Sequence, residues 1–97
     1  MSNRHLKQKL REFNSERGWE RYHLPKNLAM ALTVEAAELL ECFQWLTPEE
    51  SQNKTEAMVD EMADILIYLT ILADKLDVDL IDAAHKKINK NAIKHPA

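Results

Sequence analysis

Acidic residues recur at a spacing of three in two stretches of this 97-residue chain, Glu35 with Glu38 and Glu61 with Asp64. An E-x-x-E or E-x-x-D pair spans about one helical turn, so each helix can present both carboxylates on one face. Carboxylates that converge repel each other, and burying them without partners is costly. They must take up protons or bind cations. Ligand sets made only of oxygen favour Mg²⁺, Mn²⁺ or Ca²⁺ over Zn²⁺, and Mg²⁺ held by carboxylates commonly takes further ligands from the phosphates of a substrate. Acids at this spacing also fit a solvated helix face, and spacing alone leaves both readings open.

The surroundings sharpen the pattern. Between Leu28 and Leu46 the only charged residues are Glu35, Glu38 and Glu41, and nearly every other position is apolar. Asp60, Glu61 and Asp64 precede Ile65 to Ala73, a run without charge. Packed face to face, two such helices would bring four carboxylates together, with Glu41 as a further acid beside them. A carboxylate-bridged di-iron centre would instead need Glu-x-x-His on two helices. Glu20/His23 and Asp82/His85 have related spacing, but the acidic helices themselves contain no histidine.

Around these acids lie side chains that could bind a ligand. Trp45 follows Glu38 by seven residues and Tyr68 follows Asp64 by four, so each lies along its acid's face. Either can be a core residue or the wall of a pocket, and an aromatic wall can stack a nucleobase. Trp19 and His23 fall in an expected loop, and Lys26, Lys87 and Lys94 are cations that could meet phosphates. Cys42 has no thiol-activating neighbour pattern and reads as a small core residue.

The elements that must position these residues are helical, since no stretch alternates apolar and polar residues for long. Four helices are expected, at about 3–17, 26–45, 54–76 and 80–93. Ser2 is a candidate cap for the first, whose Leu6, Leu10 and Phe13 form one stripe, and Gly18 suits its end. Pro25 suits the start of the second. Thr47-Pro48-Glu49-Glu50 reads as a cap followed by a new turn of helix. Asp77 or Asp79 caps the fourth. The expected architecture is all-α and four-helix bundle-like, one domain over residues 1–97, with short loops that favour antiparallel neighbours.

Composition bounds the function. Apolar residues make up 45% of the chain, and a domain this small has a marginal core, which favours completion by a second copy. A net charge of −3 without a basic stripe argues against nucleic acid as the partner. The apolar blocks are broken by acids and too short to span a bilayer. A single cysteine and an N-terminus without signal-peptide features point to the cytoplasm.

Taken together, the motifs resemble a known family. The E-x-x-E of Glu35/Glu38, then 22 residues, then the E-x-x-D of Glu61/Asp64 resembles the all-α MazG-like nucleotide pyrophosphohydrolases. GWERYHLPKNLAMALTVEAAELLECFQW, EMADILIYLTILADKLDVDL and NKNAIKHP resemble the dCTP-hydrolysing branch, over about Leu6 to Pro96. The resemblance implies Mg²⁺-dependent hydrolysis of a nucleoside triphosphate to the monophosphate and pyrophosphate, with Mn²⁺ as a substitute ion. It implies Glu35, Glu38, Glu61 and Asp64 as metal ligands, and the paired acids themselves make Glu38 the candidate for orienting or deprotonating water. It also implies Trp19, His23, Trp45 and Tyr68 around base and sugar, and Lys26, Lys87, Asn91 and Lys94 toward the phosphates. That branch carries a histidine in its first helix that helps hold the base, and Leu10 stands there in this chain. Activity on several deoxynucleotides is therefore expected, in a homodimer or homotetramer. The rival reading is a non-enzymatic helical dimerisation module.

Overall fold

The computed structural model describes residues 3–97, and among them there are five α-helices and no strand. They are α1 (Arg4–Glu16), α2 (Pro25–Gln44), α3 (Pro48–Ser51), α4 (Thr55–Lys75) and α5 (Leu80–Lys94), with single 3₁₀ turns at Glu20–Tyr22 and Gln52–Lys54. Ser2 lies outside the described residues, and Asn3 occupies the N-cap of α1.

Local chemistry accounts for most boundaries. Gly18 takes φ +65°, which lets Trp19 N–H donate to the Asn14 carbonyl at 3.0 Å and Gly18 N–H to the Ser15 carbonyl at 3.2 Å. This paired reversal satisfies the last carbonyls of α1. The same pair of bonds ends α4, where Val78 N–H reaches Ala73 and Asp77 N–H reaches Asp74, but there Asp77 occupies the left-handed position at φ 56°. Thr47 and Glu50 form a reciprocal capping box with bonds of 3.0 and 3.2 Å, which starts α3. Of the two aspartates expected to cap α5, Asp79 does so, accepting from Asp82 N–H at 3.0 Å.

The α2–α4 pair carries most of the packing, and α1 leans on α4. A bidentate ion pair ties these last two, with Arg11 Nε and Nη2 donating to Asp74 at 2.8 and 2.5 Å. It holds the Asp74 carboxyl below its usual range. The short loops lead one to expect each helix against its predecessor, and α1 and α5 depart from this. The turn at Glu20–Tyr22 redirects the chain so that α1 meets α4. Past Asp77 the chain leaves the pair, and α5 buries no residue.

The apolar core is thin: Leu28, Met58, Ile71 and Ala73 are its buried members among the described residues. Stripes at helical spacing remain exposed, including Val59, Met62 and Leu66 on α4 and Ile81 and Ile88 on α5. No helix is long and apolar enough to cross a membrane among the described residues.

Candidate functional site

Why the α2–α4 core is thin follows from what occupies the seam. On α2, inward positions recur at Leu28, Leu32, Glu35, Leu39 and Cys42, alternately four and three residues apart. On α4 they recur at Met58, Glu61, Ile65, Tyr68 and Leu72. This is the spacing of a two-helix apolar seam. Glu35 and Glu61 therefore stand where hydrophobic side chains would otherwise interlock.

The seam brings three carboxylates together. One oxygen from each of Glu35, Glu38 and Glu61 lies within 4.8 Å of the other two. Glu35 and Glu61 are half-buried and Glu38 is exposed. As carboxylates, Glu35 Oε2 and Glu61 Oε2 are buried with no hydrogen-bond partner. The carboxyl of Glu35 is pushed up to about 7, chiefly by an interaction with Glu61 that needs a proton between the two groups. Loss of solvent adds to this, as do Glu38 and the charge of Asp64. Asp64 thus stands beside the cluster rather than inside the 4.8 Å set. Converging oxygen donors, two of them orphaned and buried, fit a divalent cation that favours oxygen ligands. Among the described residues the converging group is Glu35, Glu38 and Glu61, without Glu20/His23 or Asp82/His85.

A hollow of about 440 Å³ opens beside the acids between α1, the Glu20–Tyr22 turn and α4. Trp19, His23, Tyr68, Glu35 and Asp64 all line it. Trp19 is fixed by an edge-to-face contact with Phe13, ring centroids 5.7 Å apart, and the Arg17 guanidinium lies 3.5 Å above the Phe13 ring. Burial and the charge of Lys75 lower the pKa of His23, with Glu20 acting the other way, so its imidazole is held neutral. Leu10 lies in the wall and adds an apolar side chain to it.

Other expected residues are elsewhere in the chain. Trp45 follows α2 and is 83% exposed. Lys26 borders an open groove with Ala29, Met30 and Thr33. Lys87, Asn91 and Lys94 share one exposed face of α5 and do not line the hollow. Another hollow, about 540 Å³, lies at the α4–α5 corner, apart from Glu35, Glu38 and Glu61.

The hollow also contains two side chains not expected there from the sequence, Lys9 and Asn14, beside Phe13 of the apolar stripe. Asn14 is only 6% exposed. Their signal was present, because Leu6, Lys9, Leu10, Phe13 and Asn14 fall on one helical face. A lysine and an asparagine on an otherwise apolar stripe mark a face that meets something polar.

Known proteins share this arrangement of sequence and fold. Residues 30–97 match the MazG-like family. The chain belongs to that family. It is 43% identical over 91 residues to dCTP pyrophosphatase 1 of Bos taurus, covering 88% of this chain and 54% of that protein. With dCTP pyrophosphatase 1 of Homo sapiens the identity is 42% over 92 residues, 89% of this chain and 54% of that one. This MazG-like chain spans about half the length of the curated relatives it matches. A crystal structure of a pyrophosphatase from Archaeoglobus fulgidus superposes with a TM-score of 0.92 at 41% identity, over 97% of this chain and 92% of that one. The all-α fold is therefore the family's own.

Proposed function

We propose that this chain hydrolyses nucleoside triphosphates, dCTP and related deoxynucleotides among them, to the monophosphate and pyrophosphate. Nucleotide-pool cleansing in the cytoplasm is the role that fits. The observation that carries the reading is the shared wall, in which an aromatic hollow lined by Trp19, His23 and Tyr68 opens onto Glu35 and Asp64. A base held in that hollow sets its phosphates beside the acids. The names of the relatives support the same reaction, and Leu10 supports a breadth of bases.

Glu35, Glu38, Glu61 and Asp64 are the residues that would hold Mg²⁺, or Mn²⁺ in its place. When bound, such an ion sets positive charge against the phosphate oxygens and lowers the pKa of water. Trp19 and Tyr68 hold the base by its faces, and a neutral His23 offers a hydrogen bond instead of a charge. Glu38, the most exposed of the three converging acids, orients the attacking water and takes its proton. The water oxygen bonds to the α-phosphorus as the bond from that phosphorus to the pyrophosphate oxygen breaks in line.

A second copy completes the molecule in this proposal. A compact monomer of 11.3 kDa exposes about 5,700 Å², whereas this chain exposes 7897 Å². Its radius of gyration is 16.0 Å, against about 12.5 Å for a compact chain of this length. The excess surface, roughly 2,200 Å², is enough for a stable dimer interface. Pairing would cover the exposed stripes and bring Trp45, or the Lys87/Asn91/Lys94 face, toward a neighbour's hollow. Lys26 stays a candidate phosphate contact at the start of α2. A homotetramer would be two such pairs.

The test is a panel of nucleoside triphosphates incubated with Mg²⁺ and scored by product. Monophosphate with pyrophosphate is expected, and diphosphate with free phosphate would overturn attack at the α-phosphorus. If calorimetry finds no Mg²⁺-dependent nucleotide binding, the helical dimerisation module takes this reading's place.

A further inference from the structure

Two buried polar atoms outside the acidic cluster have no partner, Thr70 Oγ1 on α4 and His23 Nδ1 beyond the Glu20–Tyr22 turn. Both residues line one hollow of about 270 Å³ behind the candidate base pocket. His23, Asn14, Leu10 and Ile71 line both spaces and so form the partition between them. Charged residues also surround the rear hollow, namely Lys7, Arg11, Glu20, Asp74 and Lys75.

Thr70 is the anomaly. A threonine within a helix usually donates to the carbonyl four residues back. Thr33 does this, with its hydroxyl 2.9 Å from the Ala29 carbonyl. Thr70 is only 1% exposed, the most buried polar side chain among the described residues, yet its hydroxyl makes no such bond. Leaving a hydroxyl buried and unpaired is costly, and valine would fill the same volume without that cost. A buried hydroxyl without a partner, on a residue that borders a hollow with charged side chains around it, is a candidate for ordered water. The unpartnered imidazole nitrogen of His23, which borders the same hollow, is the other group that water would satisfy.

We propose that Thr70 is a positioning residue, linked to His23 Nδ1 through one or two waters in the rear hollow. The link fixes the tautomer and ring orientation of His23, and so the hydrogen bond that His23 presents to the candidate base pocket. Thr70 itself does not touch substrate. The effect on catalysis rests on the nucleotide reading above, while the link between the two residues does not.

Thr70→Val, which keeps the shape and removes the hydroxyl, separates these claims. Ring ¹⁵N NMR of His23 in the unmodified protein should show a single tautomer, and Thr70→Val should move it toward the averaged pattern of a freely exchanging imidazole. The same variant should raise KM for the preferred nucleotide about five-fold, the worth of one hydrogen bond, with little change in kcat. Thr70→Ser should retain both properties. A Thr70→Val protein with unchanged His23 resonances overturns the proposal, whatever its kinetics. So does a serine variant that behaves like valine. A crystal structure of the unmodified protein gives a further check: water bridging Thr70 Oγ1 to His23 Nδ1 is expected, and Thr70 donating to the Leu66 carbonyl would overturn it. If no triphosphate is hydrolysed at all, the NMR result still decides whether the two residues are linked.

Discussion

The α2–α4 pair and α5 are built from similar residue types and behave differently. In the pair, acids sit at inward seam positions, so Glu35 and Glu61 lose solvent and Glu35 holds its proton up to about pH 7. On α5 the acid Asp82 faces solvent, forms an i,i+4 bridge with Lys86 at 2.9 Å, and no residue is buried. The pair has polar groups where packing wants apolar ones, and α5 has isoleucines where solvent wants polar ones. In the function proposed above, both mismatches look beyond the single chain, the first to a cation and the second to another copy. Inward acids are costly to fold around, and a bound cation would offset that cost. Outward isoleucines would be covered by the second copy.

The largest effect should come from breaking the first mismatch. Glu61→Gln removes a charge from the converging set but keeps its shape. It should lower kcat/KM by about a thousand-fold or more and abolish Mg²⁺ binding by calorimetry, with helical content unchanged by circular dichroism. Retained Mg²⁺ binding would take Glu61 out of the ligand set. Breaking the second mismatch should act next. Ile88→Glu puts a charge on a residue 62% exposed in the single chain. It should reduce the mass in solution to that of a monomer and lower activity roughly ten- to a hundred-fold by misplacing site residues. A variant still dimeric would move the interface off this face of α5.

The aromatic residues sharpen the same contrast by a smaller amount. Trp19→Ala should raise KM about ten-fold through lost stacking. Trp45→Ala should raise it by a smaller factor, and only in the assembled protein. Equal KM values for Trp45→Ala and the parent would take Trp45 out of the pocket.

The smallest effect is a pH slope in stability. Glu35 binds its proton more tightly folded, at about 7, than unfolded, near 4.5. Between those values the folded state carries more protons, so metal-free protein should lose stability as pH rises from about 4.5 to about 7 and level off above. Glu35→Gln should flatten that segment of a denaturation series. Asp82→Asn on solvent-facing α5 should leave it in place.

Much of this was legible along the chain. The capping box at Thr47/Glu50 and the reversal at Gly18 are local, written in adjacent residues, and so are the bounds of α2 and α4. The acids were legible too, because carboxylates at helical spacing in apolar runs are a local anomaly. Position in the molecule was less legible. Trp45 and Tyr68 follow their acids alike in sequence, yet Tyr68 lines the hollow and Trp45 stands in solvent. The acids' helices run antiparallel, which sends residues that follow them toward opposite ends of the pair. Lys9 and Asn14 are harder to place from sequence, because the apolar stripe dominates the pattern of α1 while these polar members of the same face line the hollow.

By itself, then, the sequence determined the helices, their ends and the two acidic pairs, because hydrogen bonding within a helix and spacing along it are short-range. Only the tertiary structure decided that three carboxylates converge while Asp64 stands beside them. It also decided that α1 closes an aromatic hollow over α4, and that Thr70 and His23 share a space behind it. Those outcomes depend on which faces of distant segments meet, and that is set by packing the whole chain at once.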